Sequence, residues 1–360
     1  MNVIEELVHY CKEERPLGAL LFTREWGSGK THVIENELKE ALGDAYAIVR
    51  VSLYGVSTVD ALHDAIRRQY ISVCYPFANR ILESKERTQN NSGFSRFLQT
   101  LIGLKNPILG TAADLFSSVN IVNMITIKPE YEDLKTMEKR KVILVFDDLE
   151  RCNVDMVELL GVVNDYCENQ MFNTIVVTNL QYLIVTMEGN IDRLRMLKGK
   201  TVSQTVSYQP DYRTIIHRII NEREWRSEEY KDFLSDSEEA IVEVFASPAG
   251  KKSEYEKPHN LLTLIIALQE FYRLFYHIRK KESDVNRDLL TSFIPYMLCK
   301  NNPVFRQKEP VFDIADDQIA VLYPEYHSKD VFPSVRQWID SGVFDEEAFY
   351  KELDKHTKKQ

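Results

Sequence analysis

The sequence has no surplus of positive charge: 45 lysines and arginines stand against 55 aspartates and glutamates, a formal net charge of −10. Without a global positive field, a nucleic-acid backbone is not an expected partner. Paired cysteines are missing too. The five present, Cys11, Cys74, Cys152, Cys167 and Cys299, are scattered and odd in number with no Cys-x-x-Cys spacing, which excludes a zinc site or redox pair and fits a reducing, cytoplasmic compartment. The eight histidines form no His-x-x-x-His or His/Cys cluster, so each reads as a packed or surface residue. No run approaches the roughly 20 apolar residues of a spanning helix. The least polar stretch, Leu115 to Ile127, is interrupted by Ser117, Ser118, Asn120 and Asn123, so no membrane segment is expected. Met1-Asn2-Val3-Ile4-Glu5-Glu6 places acid where a secretory signal carries positive charge and reads as part of the mature fold. Internal repeats and low-complexity tracts are also lacking. The basic runs His277 to Lys281 and Lys358-Lys359 are short enough to be solvated helix ends.

What is present is enough apolar material for a sizeable core: 360 residues, 44% hydrophobic and 11% aromatic, in one large or two adjoining domains. Ile4, Leu7, Val8 and Cys11 keep helical spacing ahead of the turn at Pro16-Leu17-Gly18. A buried strand is expected at Ala19 to Thr23, then a Gly-rich loop, then a helix carrying Ile34, Leu38, Ala41 and Leu42 and closed by Gly43. Ala45 to Leu53 reads as a second strand, followed by a helix from Thr58 to Arg68 with Ser57 or Thr58 as its cap. Between 76 and 139 the pattern weakens, and a helical insertion is expected there; its apolar part, 94 to 126, reads as buried amphipathic helices. Lys141 to Asp148 is an apolar strand ending in two acids, with a helix from Val154 to Glu168 behind it. Thr174 to Thr178 and Thr201 to Tyr208 complete the strands. The alternation of strand and helix predicts an α/β fold with a parallel sheet. After Pro210 the texture changes to charged helices, Tyr212 to Asn221, Ser235 to Ala246 and Leu261 to Lys281, which predicts a core over 1–210 and a helical region over 211–360.

The segment that carries chemistry is Gly27-Ser28-Gly29-Lys30-Thr31, set between an expected strand and an expected helix as a phosphate-binding loop requires. Glycines let consecutive backbone N–H groups turn around phosphate oxygens. Lys30 would meet the β- and γ-phosphates and the Thr31 hydroxyl would ligate Mg²⁺, with Trp26, Gly27, Ser28, Gly29 and His32 completing the nucleotide-contacting segment. The general pattern places a glycine where this chain has Arg24, which leaves the phosphate-facing turn intact. Asp147 would hold Mg²⁺ and Asp148 would polarise the attacking water; the bland alternative is that Asp148 or Asn153 caps the next helix. Asn179, after the next strand, either orients that water or forms a turn. Arg151 either acts on a neighbour's nucleotide or pairs with Glu150 or another nearby acid. The absence of an Asn-Lys-x-Asp segment favours ATP over GTP.

These segments together resemble the KAP family of P-loop NTPases, especially soluble bacterial members associated with defence against phage. The resemblance rests on Glu25 to Thr31, on Ser52-Leu53-Tyr54-Gly55, and on Phe146-Asp147-Asp148-Leu149-Glu150-Arg151-Cys152 followed by Glu158-Leu159-Leu160-Gly161. Lesser matches are Lys198-Gly199-Lys200-Thr201 and Asn260-Leu261-Leu262-Thr263-Leu264, so that it spans roughly residues 15 to 275. It implies a three-layer P-loop core of the additional-strand class, related to AAA+ and signalling ATPases, with a helical C-terminal lid. It also implies ATP as the nucleotide and a tendency to act as an oligomer or switch; the expected cycle is that ATP closes the lid, hydrolysis reopens it, and a protein partner reads the changed surface. Relatives with transmembrane helices carry them in the insertion, which has none here. Relatives place an arginine where this chain has Leu262, so nucleotide sensing there is absent or passes to Arg218 or Arg273. A nucleotide-binding scaffold with little hydrolysis is the competing expectation. A kinase would need an acceptor pocket and its own base, for which the sequence has no feature.

Overall fold

The computed structural model describes residues 2–23, 29–76, 126–133, 135–179, 199–249, 257–279, 283–300, 319, 321–323 and 331–357. The expectations for Arg24, Trp26, Gly27 and Ser28, and for the insertion between 77 and 125, lie outside those residues. Among the described residues, the chain divides into two compact units between Gln209 and Pro210.

The first unit opens with α1 (Val3–Lys12), started by a capping box in which Asn2 and Glu5 satisfy each other's backbone N–H groups. β1 (Ala19–Thr23) is buried at every position. A helix follows, α2, running as Lys30–His32, then a π-helical stretch Val33–Leu38, then Lys39–Leu42. It ends at Gly43, whose φ of +67° suits a residue without Cβ. Next come β2 (Tyr46–Ser52) and α3 (Val59–Cys74). Thr58 caps α3, as one of the two expected candidates, but the helix runs six residues past Arg68, through Ile71 and Cys74, which are buried. β3 (Glu130–Glu132) is a three-residue strand inside the region expected to be helical; Tyr131 alone of the three is buried. β4 (Lys139–Asp147) leads through a 3₁₀ turn (Leu149–Arg151) to α4 (Met156–Asn164), extended by a π-helical stretch Asp165–Asn169. β5 (Asn173–Thr178) and β6 (Val202–Ser207) complete the sheet.

The strand order is β2-β4-β5-β1-β6, all parallel, with β3 antiparallel to the first residues of β4. β5 is therefore the strand inserted between the one that feeds α2 and the one that ends in the acid pair. Because consecutive side chains on a strand point to opposite faces, sequence parity sorts the core into two layers. Leu20, Phe22, Ile143, Val145, Ile175 and Val177 pack against α1 and α2. Ala19, Leu21, Val49, Val51, Leu144 and Phe146 pack against α3 and α4 on the other face. α1 is pinned to its face by polar contacts: Tyr10 Oη reaches the carbonyls of Gly18 and Thr174, and Asn173 and Lys141 donate to carbonyls at the end of the helix.

The second unit is helical: α5 (Tyr212–Glu222), α6 (Glu228–Asp236), α7 (Glu238–Ala246), α8 (Leu261–Ile278), α9 (Ser283–Lys300), α10 (Pro333–Ser341) and α11 (Glu346–Thr357). The helix expected from Ser235 to Ala246 is two helices, parted at the buried Ser237. α8 is long and apolar enough to cross a membrane by length and composition, a property not expected from the sequence reading. Half of it is buried inside its unit, including Leu264, Leu268, Phe271 and Phe275, as a core helix would be.

Candidate functional site

The parallel register brings four strand ends to one edge. Thr23 is paired with Thr178, and Ser52 with Asp147. In open α/β sheets this carboxyl edge is where ligands bind. To reach β2 on the far side of the sheet, the chain leaving β1 must pass over β5 and β4, about 14 Å at the usual strand spacing. α2 makes that passage, and its first turn arrives above β4. Lys30, only 8% exposed, and Thr31 occupy that turn. Gly29 sits before them at φ 91°, a left-handed conformation that glycine adopts freely, and the helix starts without a side-chain cap, leaving its amide end to an anion.

Asp147 has the parity of Ile143 and Val145, so its carboxylate faces α2. Thr31 Oγ1 donates to Asp147 Oδ2 at 3.0 Å across 116 positions of sequence. Oδ1 of the same carboxylate accepts the Asp148 N–H at 2.9 Å. Asp147 is 4% exposed. A hydroxyl and a nearly buried carboxylate side by side are the hard oxygen donors that Mg²⁺ selects, and the donor set fits that ion.

Asp148 has φ 61° and ψ 41°, a left-handed backbone that turns the chain out of β4. Its side chain accepts from Ser52 Oγ at 3.3 Å and lies 3.9 Å from Arg151 Nε. Burial, then the neighbouring Asp147 charge, raise its pKa above the ordinary carboxylate value. It makes no capping bond to the turn that follows. The cap of α4 is Asp155, which accepts from the Val157 and Glu158 N–H groups, so neither Asp148 nor Asn153 has that task. Arg151 also stacks 5.6 Å from the centroid of the exposed Tyr54 ring. Glu150 accepts from Thr178 Oγ1 at 2.9 Å, tying the acid segment to the end of β5, and Asn179 is buried directly after it. His32 is exposed and bonded to Asn36.

Sequence reading missed Arg50. It lies on the same face of β2 as Tyr46 and Ile48; its Nη1 reaches Asp147 Oδ2 at 2.8 Å and its Nε reaches Glu35 Oε1 at 2.7 Å. Burial pulls the guanidinium pKa down, but the bond to Asp147 and the charge of Glu35 outweigh it and hold the pKa above its usual value. The available signal was a single cation inside an otherwise apolar strand.

A model of the KAP family P-loop domain matches residues 2–279. The chain belongs to the KAP family of P-loop proteins. The match takes in the whole sheet unit and runs on through α8, and a P-loop NTPase domain is the type that binds nucleotide and hydrolyses it. No curated protein sequence matches this KAP chain. Among solved structures it is similar to the Aeropyrum pernix ORC1 protein in complex with DNA. The identity there is 12% and the TM-score 0.32, over 90% of this chain and 75% of that one. The family assignment rests on the sequence model, and the strand order agrees with it.

Proposed function

We propose that this KAP protein binds Mg-ATP at Lys30, Thr31 and Asp147, hydrolyses it with Asp148 as base, and uses the cycle as a conformational or assembly switch read by a protein partner. The observation that supports this most is the Thr31–Asp147 hydrogen bond, which joins the phosphate-loop helix to the acid-ended strand. Lys30 neutralises phosphate charge, and the amides at Gly29 and before it, expected from Trp26 to Ser28, cradle the oxygens. Magnesium, when bound, supplies Lewis-acid stabilisation of the phosphoryl oxygens. Asp148 takes the proton of the attacking water; its raised pKa strengthens it as a base while leaving it close to the metal-binding carboxylate. Asn179 orients that water. The absence of a guanine-reading segment supports ATP. The cytoplasmic setting rests on the scattered cysteines, and a role in bacterial defence against phage on the resemblance to soluble KAP members.

Lys30→Ala is expected to abolish nucleotide binding in titration calorimetry; undiminished affinity would remove the site from this loop. Asp148→Asn is expected to keep binding and to lower phosphate release by about 100-fold or more. An unchanged rate moves the base elsewhere. A nucleotide-binding scaffold with little turnover is the second reading, favoured by the ion pair between Arg50 and Asp147, which already engages the metal-binding carboxylate. Phosphate release measured with and without a purified partner separates the two.

A further inference from the structure

We propose that Arg50 is a tethered cation that competes with Mg²⁺ for Asp147, so that this protein holds nucleotide with little dependence on metal until Arg50 is displaced. The inference rests on the nucleotide site described above. Three observations carry it. First, Arg50 Nη1 and Thr31 Oγ1 bond the same oxygen, Asp147 Oδ2, at 2.8 and 3.0 Å, while Oδ1 is occupied by the Asp148 N–H. The carboxylate face toward Thr31, where a hard cation would be held, is thus already shared with a guanidinium. Second, the Asp147 side chain is 6% exposed and that of Arg50 31%, so the pair is shielded from the screening that weakens surface ion pairs. Third, Glu35 holds the other edge of the guanidinium at 2.7 Å. Glu35 is one helical turn beyond Thr31 on α2, so the arginine is clamped between the phosphate-loop helix and the acid-ended strand rather than resting there by chance of rotamer.

A divalent ion placed between Thr31 and Asp147 would sit beside a fixed positive charge and share its carboxylate. Like charges at that range oppose each other strongly in a partly dry site. Arg50 therefore lowers the gain in nucleotide affinity that metal provides, and any event that draws Arg50 toward Glu35 alone raises it.

The test is equilibrium binding of a fluorescent ATP analogue to the full-length protein, in MgCl₂ and in EDTA, with the ratio of the two affinities as the readout. Arg50→Gln is expected to raise that ratio about tenfold or more over wild type, and Arg50→Lys, which keeps the charge but not the two-sided hold on Asp147 and Glu35, to fall between the two. If Arg50→Gln is insoluble, Arg50→Met, which keeps the apolar stem on the strand, is measured in its place against the same expectation. A ratio unchanged or lowered by loss of the charge overturns the proposal; a lowered ratio would make Arg50 an orienting group for Asp147 instead. Failure of wild type to bind the analogue in both buffers would instead overturn the nucleotide reading itself, so the two failures are distinct.

Discussion

Asp148 combines a left-handed backbone, a carboxylate whose pKa is lifted by burial and by Asp147, and no part in starting the following helix. A residue in that position is held at a cost to the fold, as functional sites commonly are. The sign of the cost can be worked out. With its pKa raised in the folded state, Asp148 binds more protons folded than unfolded between the two values, so stability falls as pH rises through that window. Its full contribution is present below the unfolded value of about 4 and is lost as pH climbs through the raised folded value. Asp148→Asn cannot ionise, so its melting temperature at pH 7 is expected above wild type, with the difference closing as pH approaches about 4. Thermal unfolding across pH checks this, and a variant less stable than wild type at pH 7 would show that the Ser52 and Arg151 contacts outweigh burial. Arg50 shows what residue-level reading loses. Lys30, Thr31 and Asp147 announce themselves by motif, whereas the role of Arg50 follows only from strand parity and from which helix covers that face.

The elements were legible in proportion to their periodicity. β1, β4 and β5, continuous apolar runs, fell within a residue or two of their expected places, and so did α1. β3 escaped because three residues with one buried tyrosine give no period to detect. The break at Ser237 escaped because no glycine or proline marks it, and the chain resumes helical spacing at once. The start of α4 falls two residues past the expected Val154: Asp148 and Asn153 offered capping chemistry, but the 3₁₀ turn takes up Leu149–Arg151 and the cap falls to Asp155. Asp155→Ala should therefore destabilise the first unit by about 1 kcal/mol, the usual loss for an N-cap. Urea unfolding at a pH where both acids are charged would measure it. Nucleotide affinity is expected to be unaffected, so a variant that unfolds normally yet binds poorly would place Asp155 in the site rather than at a helix end.

At the scale of the whole chain, burial separates two cores. Among the described residues, the buried hydrophobics of the helical core run from Tyr212 to Leu353, and those of the two layers flanking the sheet all precede Pro210. The helical core includes Tyr230, Phe271, Phe293 and Phe349, all essentially inaccessible, and Tyr230 Oη donates to the Leu268 carbonyl inside it. A unit with a continuous apolar core of its own has what independent folding requires. Pro210–Gln360 produced alone is therefore expected to be helical by circular dichroism and to unfold in one cooperative urea transition. Lys30→Ala in the full chain should leave that transition where it is, since Lys30 is not part of the helical core. A fragment with helical signal but no cooperative transition would mean that the helical unit takes its fixed packing from the sheet unit.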